Sequence, residues 1–128
     1  MEAFDIADIE FIGNTGVKKK TNEVRVLEGE EGFKKFIYDV YETVRRESGE
    51  ICVSNVDERE FDKWQGKYRD DYLAKMEGLH EETGLSFRIL VREGDEHHVA
   101  KYAKYKALKK ETFGTVPFYV YGSKIAII

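Results

Sequence analysis

The chain has 128 residues, 41% hydrophobic and 36% charged, with one proline and a formal net charge of −4 at pH 7. That length supports one domain with its own core, and the composition excludes a low-complexity or disordered chain. The negative balance leaves no global field to gather nucleic-acid phosphates, and a single cysteine, Cys52, excludes an internal disulfide and has no Cys/His spacing of the zinc type around it.

The N-terminus, "MEAFDIADIEF", is acidic and lacks the basic segment and apolar core of a secretory signal. Nowhere do eighteen apolar residues run together, so the expectation is a cytoplasmic protein with no membrane partner. Residues 1–21 read as a lead-in with a short strand at "IEFI" and a flexible stretch from Gly13 to Thr21. Its run Lys18, Lys19, Lys20 reads as a solvated loop rather than a groove contact, so no direct nucleic-acid binding is expected. Residues 22–128 are taken as the domain.

"EVRVLEG" alternates and stops at Gly29, which predicts a strand and a turn. From Glu30 to about Glu47, Phe33, Phe36, Ile37, Val40, Tyr41 and Val44 recur at three- and four-residue spacing, with Glu30 and Glu31 at the start and Arg45 and Arg46 at the end. That pattern predicts an amphipathic helix with charges suited to its dipole. Ser48-Gly49 ends it, and "EICVSN" reads as a buried parallel strand completing a βαβ unit. Asp57, with Glu60 three residues on, predicts the start of a second helical stretch over "EFDKWQGKYRDDYLAKMEGLHEETG", divided at Gly66. Gly84 ends that stretch, and "LSFRILV" predicts a third strand. "REGDEHH" reads as a polar loop. "VAKYAKYKALKKETFG" fits neither period and is read as loop plus a short element. "VPFYVYG" and "KIAII", joined at Gly122-Ser123, predict a closing antiparallel hairpin. The fold class is therefore α/β, a mixed sheet flanked by helices.

Three pieces in this order, "VRVLEGEEGFKKFIYDVYETV" with "EICVSN", then "SFRILV", then "PFYVYGSKIAII", resemble the effector domain of TrmB-like transcriptional regulators and related bacterial proteins. In that family a strand with a Gly-x-x-Gly-shaped turn leads into a helix, and a late strand-turn-strand ends in a "YG-x-K-hydrophobic" pattern. The resemblance implies a phospholipase-D-like fold over about residues 23–128. It also implies a further strand and a helix after the hairpin, and a DNA-binding helix-turn-helix before the sensor domain. With neither present, the end at Ile128 reads as a truncated C-terminus. Ile125, Ile127 and Ile128 are then expected to lack cover, and the last strand to offer an unpaired edge to a second copy.

Phospholipase-D-type enzymes use a His-x-Lys spacing, the His as nucleophile and the Lys as phosphate clamp, and this chain lacks it: His80, His97 and His98 have no lysine two places on. No catalytic residue and no cofactor are expected. "GDEHH" brings Asp95, Glu96, His97 and His98 together, but adjacent side chains point apart, so a solvated loop outweighs a metal site and no metal is expected. "DERE" and "RDD" read as solvated charge pairs, and "GEEG" as a turn whose glutamates repel phosphate. A ligand pocket in an open α/β sheet belongs at the carboxyl ends of the parallel strands, which selects Ser54, Asn55 and Arg92; the late aromatic cluster adds Tyr119 and Tyr121. The resulting expectation is a non-catalytic sensor or dimerisation domain, working as a homodimer with a small-molecule effector. Its alternatives are a divergent phosphodiesterase using His97, His98 and Lys101, and a small interaction module whose hairpin adds to another sheet.

Overall fold

A computed structural model describes residues 23–128 in full and residues 3–8 by their backbone. The predicted strand and helix after residue 22 are β2 (Val24–Glu28) and α1 (Gly29–Glu47). The apolar stripe of α1 is its buried face: Phe33, Phe36 and Val40 are fully enclosed, and Ile37 and Val44 nearly so. Burying side chains of this size stabilises the fold by roughly 1.5–3 kcal/mol each. β3 (Glu50–Ser54) follows, then α2 (Glu58–Gln65), a 3-10 turn over Gly66–Tyr68, and α3 (Arg69–Thr83). Asp57 caps α2 by accepting the Arg59 N–H, while Glu60 pairs with Lys63 rather than reaching back to the cap. β4 (Ser86–Arg92), β5 (Lys104–Leu108), β6 (Phe118–Tyr121) and β7 (Lys124–Ile127) complete the chain.

One mixed sheet holds all of these strands together with β1 (Ala3–Asp8), in the order β2-β1-β7-β6-β3-β4-β5. β3, β4 and β5 are parallel; every other neighbouring pair is antiparallel. Three differences from the sequence reading follow. β2 and β3 do not neighbour each other, because α1 carries the chain past three intervening strands. The ambiguous stretch contains β5, aligned parallel to β4 without a helical crossover. The lead-in supplies β1, an interior strand; the strand expected at "IEFI" lies outside the described residues.

β1 also overturns the expectation of a free terminal edge. Asp5 pairs with Ile127 and Ala7 with Ile125, so both edges of β7 are taken, one by β6 and the other by β1. The outermost strands are β2 and β5. A route to dimerisation by strand addition at β7 is therefore closed.

The three described helices share one face. Phe33 of α1 meets Phe61 and Trp64 of α2 edge to face, Phe36 packs on Tyr119 and Tyr121, and the Lys75 ammonium of α3 lies over the Tyr41 ring. Ile51, Val53, Phe87, Ile89, Val91, Tyr119, Tyr121 and Ala126 point into this layer, and no described helix covers the opposite face. Two ladders of register partners cross that open face. One runs Val24, Ala7, Ile125, Val120, Cys52, Arg88, Lys104; the other runs Val26, Asp5, Ile127, Phe118, Ser54. At the usual strand spacing the first ladder, across seven strands, spans about 29 Å, and the second, across five, about 19 Å.

Gly32, within the first turns of α1, lets the helix lie on β2: a Cβ there would stand 2.8 Å from the backbone carbon of Leu27. Gly78 in α3 has nothing within 4 Å. Gly32→Ala is expected to destabilise the protein by about 1–3 kcal/mol despite alanine's better helix propensity, and Gly78→Ala to stabilise it by about 0.5–1 kcal/mol. Urea unfolding of the pair checks this, and equal gains from both would contradict the close approach.

Candidate functional site

The carboxyl end of β3 leads into α2, and that of β4 into the loop of residues 93–103. Charged residues of α2 hold that loop from its beginning to its end. Arg59 donates to both carboxylate oxygens of Asp95, at 3.0 and 3.4 Å, and Asp95 also accepts the His97 N–H at 3.0 Å. Asp62 Oδ2 stands 3.2 Å from His97 Nε2, while its other oxygen takes the Arg69 Nε–H at 2.8 Å. Glu58 Oε1 accepts from the Tyr105 hydroxyl at 2.6 Å and from the Val99 N–H at 3.1 Å; the Tyr105 oxygen in turn accepts the Ala100 N–H at 3.0 Å. The His98 ring stacks on Tyr105 with centroids 4.0 Å apart.

Two carboxyl groups here respond oppositely to their surroundings. Burial raises the Glu58 pKa, and the hydrogen bonds from Tyr105 and Val99 oppose that rise without cancelling it. Burial also acts to raise Asp95, but the His97 N–H and the Arg59 guanidinium outweigh it and hold that carboxyl below its ordinary value. The Tyr72 hydroxyl is enclosed and has no hydrogen-bond partner among the described residues.

The residues selected from sequence do not converge on one pocket. Asn55, at φ 60°, is a loop clamp: its Nδ2 donates to the Val116 carbonyl at 3.0 Å and its Oδ1 accepts the Gly114 N–H at 2.8 Å. Ser54 lies on the open face, register partner of Phe118. Arg92 lines a hollow of about 460 Å³ where Arg59, Arg92 and Lys110 are balanced by Asp57, Glu93 and Asp95. Tyr119 and Tyr121 are core rings under α1, 6% and 0% exposed, which removes them from any solvent-facing pocket. The Tyr121 hydroxyl donates to Asp39 at 2.9 Å, and the Lys124 ammonium meets both oxygens of the same carboxylate at 3.0 and 3.1 Å.

His97 and His98 go separate ways, one to Asp62 and the other to Tyr105, in keeping with their adjacency. Among the described residues, no group of three or more His, Cys, Asp or Glu side chains could hold a metal ion. Sequence reasoning read Glu58 and Arg69 as solvated surface charges and did not single out Asp62. Glu58 reaches Tyr105, 47 positions away, and Asp62 reaches His97, 35 away, so no local spacing marks them. What the network does chemically is hold a long non-helical crossover against α2. No described helix is long and apolar enough to cross a membrane. No family model matches the chain, and neither a curated protein nor a solved structure matches it.

The fold favours the protonated form of Glu58, so its contribution to stability is fully present below the ordinary glutamate pKa. That contribution is lost as pH rises through the raised value. Glutamine keeps an acceptor for Tyr105 and Val99 but does not titrate. The stability difference between Glu58→Gln and the wild type should therefore move in the variant's favour from about pH 4 to about pH 7. Glu58→Ala leaves the Val99 N–H without its acceptor and should cost about 1–3 kcal/mol. Urea unfolding across that pH range checks both, and a flat or opposite trend for Glu58→Gln would contradict the assignment.

Proposed function

We propose that the chain is a non-catalytic docking domain of phospholipase-D-like architecture, related to the sensor half of TrmB-like transcriptional regulators, that works as a homodimer in the cytoplasm. The observation that carries the reading is the open sheet face. Val24, Val26, Ile127, Val120 and Phe118 are 64%, 58%, 49%, 38% and 38% exposed, and all five lie on the two ladders that cross it. Apolar patches of this kind mark association surfaces. The patch also suits a second copy of itself. A two-fold axis through β7 and β6 lays the apolar part of one face on that of its partner, and leaves the Glu50–Arg88 pair, Lys104 and Lys106 at a hydrated rim.

Two features support the family relationship. Tyr121 and Lys124, the "YG-x-K" residues, meet on Asp39 of α1, and Gly122 between them, at φ 57°, lies where a Cβ would stand 2.7 Å from Thr43 Cγ2. β1 also lies beside β7, where a strand following the hairpin in that family would continue the sheet. The non-catalytic reading is supported by the uses of the charged loop: Asp62, His97, Asp95 and Arg59 are engaged with one another across it.

Light scattering over a dilution series should give the mass of a dimer for the wild type and of a monomer for Ile127→Lys. Both should have the same far-UV circular dichroism, since half of Ile127 is exposed within one chain. Monomers at all concentrations for the wild type, or an undivided dimer for the variant, would refute this interface.

A further inference from the structure

The open face changes character toward β5. Between β3, β4 and β5 it forms a hollow of about 530 Å³ floored by Cys52, Ser54, Leu90 and Phe118. Arg88, Lys104 and Lys106 stand around it, brought to one face by the register that sets Arg88 beside Lys104 and Leu90 beside Lys106. Arg88 already shares its charge with Glu50, at 3.2 Å. Lys104 and Lys106 have no carboxylate in ion-pair reach among the described residues, and they sit two positions apart on an outermost strand of a chain whose net charge is −4.

We infer that this hollow binds an anionic amphiphile, its headgroup held by Lys104 and Lys106 and its apolar tail laid over Leu90 and Phe118. The inference rests on the reading of the open face as a docking surface and names the effector that surface would take. A bare inorganic anion would leave the apolar floor in water, and an uncharged apolar molecule would leave two ammonium groups unmatched at its rim. A molecule with one charged end and one apolar end satisfies both. Phe118 and Val120 follow one another along β6 with one residue between, so a tail leaving the hollow runs directly onto the apolar patch assigned above to the second copy. Occupancy and association are thereby coupled through one surface, without any requirement for movement in the core.

Decanoate, decyl phosphate, decyltrimethylammonium, decanol and inorganic phosphate, each below its micelle concentration, are titrated calorimetrically into the intact protein. Saturable one-to-one binding is expected for decanoate, decyl phosphate or both, and not for the cation, the alcohol or the inorganic ion. The relative affinities of the two anions tell a carboxylate from a phosphate headgroup. Lys104→Glu with Lys106→Glu should weaken binding at least about tenfold while leaving the fold intact, since both side chains are exposed. Absence of binding, equal binding of decanol or decyltrimethylammonium, or undiminished binding by the double variant would overturn the inference. Ile127→Lys lies outside the hollow and should still bind. Charge-dependent binding by a protein that is monomeric throughout would remove the dimer and leave the ligand site standing. A dimer split by Ile127→Lys with no amphiphile bound would do the reverse.

Discussion

The rest of the structure depends on the seating of α1 under the sheet. Phe33, Phe36, Ile37, Val40 and Val44 put one whole side of a nineteen-residue helix out of water, and that burial fixes where the chain emerges to form β3. Because β3 comes down three places beyond the neighbour of β2, a gap is left that β1, β7 and β6 fill. The rings of Tyr119 and Tyr121 then close on Phe36, and Asp39 on the same helix receives the Tyr121 hydroxyl and the Lys124 ammonium. A carboxylate shared by a phenol and an ammonium near the protein interior is costly to leave half-made, so it fixes the register of the β6–β7 pair against α1.

Polar contacts of long sequence separation do the same work at the other end of the sheet. Asn55, in a left-handed conformation just after β3, clamps the backbone at Gly114 and Val116 before β6. Glu58, Asp62 and Arg59 hold the crossover between β4 and β5. With all three described helices committed to one face, the other face of the sheet keeps apolar side chains that no described helix covers, and it ends in the lysines of β5.

The extent to which this was legible in the sequence follows from the range of the interactions. α1 could be read because its three- and four-residue period is local and is matched by acidic and basic ends; β3 and β4 could be read from short apolar runs between glycine stops. The α/β class follows from those elements alone. β5 was read only as a short element of no assigned type: "KYKAL" alternates over four residues, too few within a stretch rich in Lys and Ala to separate a strand from a helix. The position of β1 could not be read, since pairing with β2 and β7 is a choice among distant partners. Of the candidate site residues, Tyr119 and Tyr121 were misjudged as pocket walls because a tyrosine's hydroxyl says nothing about which face of a strand it occupies. Glu58 and Asp62 carried no signal because the loop residues they hold, Val99 and His97, lie more than thirty positions on.

The central claim is that a second copy covers the open face, and Cys52 reports on it directly. It is the chain's one cysteine and it lies on that face as register partner of Val120; burial and the neighbouring Glu50 raise its thiol pKa, so its reaction with a maleimide is compared at one fixed pH throughout. The measurement is the rate of Cys52 modification per molecule as a function of protein concentration at fixed pH. A rate that falls as concentration rises, with the fast limit reached on dilution, is the expected result. A rate independent of concentration over the range in which light scattering is recorded would contradict the account.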